Sequence, residues 1–129
     1  MVATPIGNLA DLSLRALHVL GLVDAIACED TRHTAGLLQA FGLHKPLLAL
    51  HQHNEREAAQ QVLERLRRGE RVAFVSDAGT PGVSDPGARL CAEAQAQGFR
   101  CVPLPGASSV TALLSVAGLT EGEGRFAFV

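Results

Sequence analysis

Val75-Ser76-Asp77-Ala78-Gly79-Thr80-Pro81-Gly82-Val83-Ser84-Asp85-Pro86-Gly87 joins two segments of opposite character. Before it, Val72-Ala73-Phe74-Val75 is an apolar run of the length of a buried strand. After it, Ala88 to Gln97 reads as a helix that stops at Gly98. A plain strand-to-helix connection takes about 2–6 residues. This one is longer and holds three glycines, two prolines, two aspartates and two serines. Gly79 and Gly82 permit positive φ or close approach of a ligand to the backbone. Pro81 and Pro86 stiffen the path. Asp85-Pro86 offers a helix cap and a first helical residue. A turn before a capped helix needs fewer special residues than this. The loop lies at the carboxyl end of a strand, where open α/β sheets bind ligands.

The same unit recurs on both sides. Arg100 to Leu104 reads as a fifth strand, followed by Pro105-Gly106-Ala107-Ser108-Ser109 and a helix bearing Val110, Leu113, Leu114 and Ala117. Upstream, Leu47 to Leu50 reads as a third strand, followed by His51-Gln52-His53-Asn54-Glu55. Asn54 with Glu57 has the spacing of a capping box, and Ala58, Ala59, Val62, Leu63 and Leu66 recur at helical spacing. Asp24 to Cys28 is a second strand, followed by Glu29-Asp30-Thr31-Arg32 and a helix ending at Gly42. Met1-Val2-Ala3 is a short first strand, then Thr4-Pro5-Ile6-Gly7-Asn8 is turn-like and Ser13 caps a helix with Leu14, Leu17 and Leu20. Five strand–helix units predict an α/β domain of three layers with a five-stranded, mainly parallel sheet. Residues 1–120 form this domain and 121–129 a linker. The loops 4–8, 29–32, 51–55, 76–87 and 105–109 then share one edge, where a cleft is expected.

Composition narrows the class. The chain has 129 residues, 47% of them hydrophobic, which suits one domain with a real core. A formal net charge of −2 makes it a poor nonspecific nucleic-acid binder by itself. Three cysteines, Cys28, Cys91 and Cys101, without a C-x-x-C pair argue against a disulfide framework and a zinc site. Reduced cysteines, no apolar run near the ~20 residues of a membrane span and no signal peptide predict a cytoplasmic protein with no membrane partner.

The loops carry chemistry, but not the commonest kinds. Neither G-x-G-x-x-G after the first strand nor a P-loop is present. A G-x-S-x-G elbow is missing too. His51, His53 and Glu55 alternate along an extended segment, as metal ligands or, by preference, as polar lining of the cleft, because no further ligand cluster appears. No metal site is expected. Glu29-Asp30-Thr31-Arg32 suits equally a cap with an ion pair and a pair of carboxylates with an arginine that orient a hydroxyl or take its proton.

Five motifs standing in order carry a family resemblance: Val2 to Leu9, Glu29 to Arg32, His53 to Glu55, Ser76 to Pro81 with Ser84 to Gly87, and Pro105 to Ser108. Together they resemble the tetrapyrrole (corrin/porphyrin) methylase superfamily, in particular its branch acting on ribosomal RNA. The resemblance implies an S-adenosylmethionine-dependent enzyme that methylates the ribose 2′-hydroxyl of a cytidine in 16S ribosomal RNA of the small subunit. It implies a homodimer, a second domain after the linker, and the cofactor between the two domains. By the same resemblance, Ser76, Asp77, Ala78, Gly79, Thr80, Pro81, Pro105, Gly106, Ala107 and Ser108 line the cofactor. Pro5, Gly7, Asn8, Asn54 and Glu55 face the acceptor, with Glu29, Asp30, Arg32 and His53 as catalytic candidates. A tetrapyrrole or diphthine-type methyltransferase and a non-catalytic cofactor-binding domain are the competing readings. A single domain of this kind is expected to fold alone without methylating RNA.

Overall fold

The computed structural model describes residues 1–129, the side chain of Glu123 excepted. Its centre is β1 (Ala25–Cys28), every residue of which is buried. β1 pairs in parallel with β2 (Leu47–Ala49) and with β3 (Val72–Val75), giving the order β2-β1-β3. Cys28 stands opposite Ala49 on one side and Val75 on the other. Parallel strands covered on both faces are apolar at every position rather than alternately, and Ala-Ile-Ala-Cys and Val-Ala-Phe-Val follow that rule.

Successive side chains of a strand point to opposite faces. Ile26, Cys28, Ala73 and Val75 therefore pack with Leu20 and Leu38, from α1 (Leu14–Leu22) and α2 (Thr31–Ala40). Ala27 and Phe74 pack on the other face with Val62 and Leu90, from α3 (Glu55–Arg67) and α4 (Gly87–Ala96). The three layers are as expected.

The five-stranded sheet is not. Three strands form among the described residues, and the first and fifth segments join the sheet only as single bridges. Val2 donates its N–H to Phe74 O at 2.9 Å, and Leu104 donates to Met1 O at 2.9 Å, so the sheet continues past β3 in the order Val2, Leu104. The reasons are local. Thr4 has already turned away to pair antiparallel with Gly79, leaving Val2 as the one residue with partners on both sides. Leu104 is flanked by Pro103 and Pro105, neither of which has an N–H to give a ladder.

One helix cap and one helix face also differ from expectation. Asn54 occupies the N-cap of α3 without a side-chain cap bond. Its Oδ1 instead accepts from His51 N–H at 2.8 Å and its Nδ2 donates to Ala49 O at 2.9 Å, so the side chain ties the loop back to β2. The last helix, α5 (Ser109–Val116), buries no residue, and Leu113 is 67% exposed. No helix among the described residues is long and apolar enough to cross a membrane.

At the amino edge of the sheet lies a mainly apolar cavity of about 440 Å³ bordered by Val19, Leu66, Phe99 and Val102. Cys91 and Cys101 also line it. The Cys101 Sγ donates to Cys91 O at 3.6 Å. Burial, then the hydrogen bond and charge of the Cys91 thiol, push the Cys101 thiol from 9.0 up to about 11. Because the folded value is raised, the stability tied to the protonated thiol is intact below pH 9.0 and is lost as pH rises through about 11. The thiolate is the nucleophile. Iodoacetamide is therefore expected to label Cys101 far more slowly than an unfolded cysteine at pH 8, with the rate climbing until about pH 11; a labelling rate at pH 8 equal to that in urea would contradict this.

Candidate active site

The loops at the carboxyl ends of the strands are tied to one another by backbone and side-chain bonds. Thr4 N–H donates to Gly79 O at 3.1 Å, and Gly79 N–H returns the bond to Thr4 O at 3.0 Å. Gly79 sits at φ +82°, and a Cβ there would lie 3.4 Å from Ile6 Cγ2. A side chain at 79 is thus opposed by conformation and by its neighbour. Thr80 Oγ1 donates to Ala107 O at 2.9 Å, which links the glycine-rich loop to residues 105–108. Gly106 lies close enough to Ala3 that an added Cβ would stand 2.9 Å from the Ala3 Cβ.

Asp85 shapes the far half of the long loop. Its carboxylate accepts from Gly82 N–H at 2.8 Å and from Gly87 N–H at 2.8 Å. Pro86, in helical conformation, occupies the N-cap, one residue later than the Asp-Pro pattern suggests, and Asp85 still serves the first turn of α4. Ser76 is buried, its Oγ 3.2 Å from Ala78 O and 3.3 Å from Gly79 O, so it braces the loop from inside.

The loop after β1 locks onto the loop after β3 through two aspartates. Asp77 Oδ1 accepts from Asp30 N–H at 3.2 Å. The Glu29 carboxylate in turn accepts from the Asp77 backbone N–H. Burial, and secondarily the charge of Asp77, hold the Glu29 carboxyl above the ordinary glutamate value. Asp30 caps α2 by accepting from Arg32 N–H at 2.9 Å. The capping half of the alternative for Glu29 to Arg32 is therefore realised, and among the described residues Arg32 forms no ion pair.

Beside this junction opens a cleft of about 440 Å³ lined by Thr4, Pro5, Gly7, Asn8, Leu9, Arg32, His33, Gly36, Leu37 and Asp77. It gathers Pro5, Gly7, Asn8 and Arg32, taken from the sequence as acceptor-side residues, and adds Asp77, taken as a cofactor residue. His33, Gly36 and Leu37 belong to none of the sequence motifs. The signal was their spacing: 32, 33, 36 and 37 share one face of a helix, and Gly36 leaves that face open, with nothing within 4 Å of an added Cβ. Asn8 caps a short turn, Leu9–Asp11, by accepting from Ala10 N–H at 2.9 Å.

His53, Asn54 and Glu55 do not line this cleft. The His51 and His53 rings stand 5.9 Å apart, and Glu55 Oε2 lies 3.6 Å from Arg89 Nη1, on α4. Among the described residues no group of three or more histidines, cysteines or acids converges as a metal site. Ala78, Thr80, Pro105 and Gly106 are exposed around the Thr80–Ala107 bond. This cradle is formed by backbone and small side chains.

A layered α/β domain with its special loops gathered at one sheet edge defines the class. The profile of the Tetrapyrrole (Corrin/Porphyrin) Methylases matches residues 1–128, and the chain belongs to that family. It is similar to the ribosomal RNA small subunit methyltransferase I of Xylella fastidiosa, at 56% identity over 99% of this chain and 46% of the relative. The enzyme of that name from Pseudomonas aeruginosa is 55% identical over 99% of this chain and 45% of its own. For that of Escherichia coli O157:H7 the figures are 54%, 92% and 42%. The chain thus spans a little under half the length of these curated relatives.

Proposed function

We propose that this chain is the cofactor-side half of an S-adenosylmethionine-dependent methyltransferase that modifies a cytidine ribose 2′-hydroxyl in 16S ribosomal RNA of the small subunit. The observation that carries the reading is the junction itself. The glycine-rich cradle and the cleft adjoin through the Ser76–Pro81 loop, whose Asp77 lines the cleft, as transfer between two ligands requires. The names of the relatives supply the RNA substrate. On this reading residues 1–120 are the domain, 121–129 lead to a second domain that closes the cofactor site, and the working enzyme is a cytoplasmic homodimer.

Ala78, Gly79, Thr80 and Pro81 with Pro105, Gly106, Ala107 and Ser108 hold the cofactor, which when bound supplies an activated methyl group on sulfur. Pro5, Gly7, Asn8 and Arg32 meet the nucleotide. Arg32 suits a phosphate oxygen because its guanidinium is charged and exposed. Glu29 and Asp30 fix the cleft wall, and His53, Asn54 and Glu55 stand on the neighbouring loop toward the rest of the RNA. Alignment of the hydroxyl and removal of its proton are what this half contributes to rate.

The test is labelled-methyl transfer to small ribosomal subunits by the full-length protein, with calorimetric titration of S-adenosylmethionine into the same protein and into residues 1–129. Transfer by the full-length protein and weaker binding with no transfer by residues 1–129 are expected. Gly79→Val should abolish cofactor binding while far-UV circular dichroism stays unchanged. Undiminished affinity in that variant, or full transfer by residues 1–129, would refute the assignment of the cradle or of the second domain.

A further inference from the structure

We infer that Asp77 is the group that takes the proton of the acceptor hydroxyl, a role that rests on the methyltransferase reading above. Asp77 is the one carboxylate among the residues lining the cleft. It sits two residues from Gly79, on the loop shared by cradle and cleft, so it stands where the two ligands meet. Its Oδ1 is anchored by Asp30 N–H at 3.2 Å, while its Oδ2 has no protein donor among the described residues and the side chain is exposed. One oxygen is thus fixed and the other is free to accept.

The neighbouring acids lie outside the cleft lining. Asp30 Oδ1 caps α2 through Arg32 N–H. The Glu29 carboxyl is half-buried, turned onto the Asp77 backbone and held above its ordinary value. Asp85 is spent on Gly82 and Gly87 N–H. His53 is outside the cleft. The remaining titratable groups facing Asp77 are the buried Cys28 thiol from β1, raised mainly by burial, and Arg32 and His33 from α2. His33 lies on the α2 wall of the cleft, and its part is separated from that of Asp77 by the variants below.

The step balances simply. The O2′–H bond breaks as the oxygen bonds to the methyl carbon, the proton passes to Asp77 Oδ2, and the electron pair of the broken carbon–sulfur bond stays on sulfur.

Asp77→Asn keeps an oxygen for Asp30 N–H and removes only the charge. In the full-length protein it is expected to lower kcat about 100-fold and to leave S-adenosylmethionine affinity by calorimetry unchanged. His33→Ala is expected to raise KM with little change in kcat. A second readout needs no transfer: carbon-13 resonances of the Asp77 carboxyl should shift on adding a short cytidine-containing RNA and not on adding its 2′-deoxy counterpart. Unchanged kcat in Asp77→Asn, cofactor affinity lost in step with rate, or equal response to RNA and DNA would each overturn the assignment. Absence of methyl transfer by the unmodified protein would instead overturn the ribosomal-RNA reading, and the RNA-against-DNA response then decides the Asp77 role alone.

Discussion

Gly87→Val is expected to destabilise the domain by about 3 kcal/mol, the upper end of what overpacking a filled interior costs. Gly87 opens α4 and is buried against β3. A Cβ there would collide with Phe74 Cε1, and it would stand 2.8 Å from Phe74 Cδ1 and 2.7 Å from Asp85 Oδ1. Phe74 cannot retreat, because it fills the core between Ala27, Val62 and Leu90. Asp85 cannot retreat without giving up its bonds to Gly82 and Gly87. The same substitution therefore strikes the packing of one face of the sheet and the shape of the long loop. Urea unfolding checks it: the midpoint should fall while the slope of free energy against denaturant stays the same. A midpoint shift corresponding to less than about 1 kcal/mol would mean that α4 is not held where Phe74 places it.

Ile26→Ala is expected to cost about 2–5 kcal/mol by removing three buried carbons from the centre of the sheet. Ile26 is 0% exposed and stands opposite Leu47 on one side and Ala73 on the other. Its face is covered by α1 and α2, whose Leu20 and Leu38 are fixed by their own neighbours, so the space would not collapse fully. Ile26→Val should cost only about 0.5–1.5 kcal/mol. A loss for Ile26→Ala no larger than that for Ile26→Val, again from urea midpoints, would mean that Ile26 is not packed at the centre of the sheet. Both experiments read the fold and are independent of any ligand.

Much of this architecture was legible in the chain. Ala25–Cys28 and Val72–Val75 announce strands covered on both sides, because no polar residue interrupts them. Glycines at 42, 69 and 98 take positive φ after their helices, as the stop signals require. What the sequence hid is of a different kind. The count of strands depended on Thr4 turning toward Gly79 and on two prolines flanking Leu104, that is, on pairing between distant segments. Asn54 satisfied the local capping pattern yet spent its side chain on His51 and Ala49, because a tertiary hydrogen bond outweighed a local one. Asp77 read as part of a cofactor loop; only the position of Asp30 across the junction turned it toward the cleft. Motif spacing gave the identity of the loop residues, and three-dimensional closure separated His53 from Arg32.

The helix α5 has a consequence for how unevenly the domain holds together. Its eight residues bury no side chain, and an isolated helix shorter than about 12–15 residues is marginal in water. Its opening therefore costs little, while exposing the amides of β1 requires separating two neighbouring strands and both helical layers. Fluctuation is thus concentrated immediately after Pro105–Ser108, and this lip of the cradle can reshape around a bound molecule without disturbing the sheet that supports it. On the proposed reading of the cradle, the ordering of that lip is a conformational entropy that binding must offset, so affinity there would depend on a segment that touches almost none of the core.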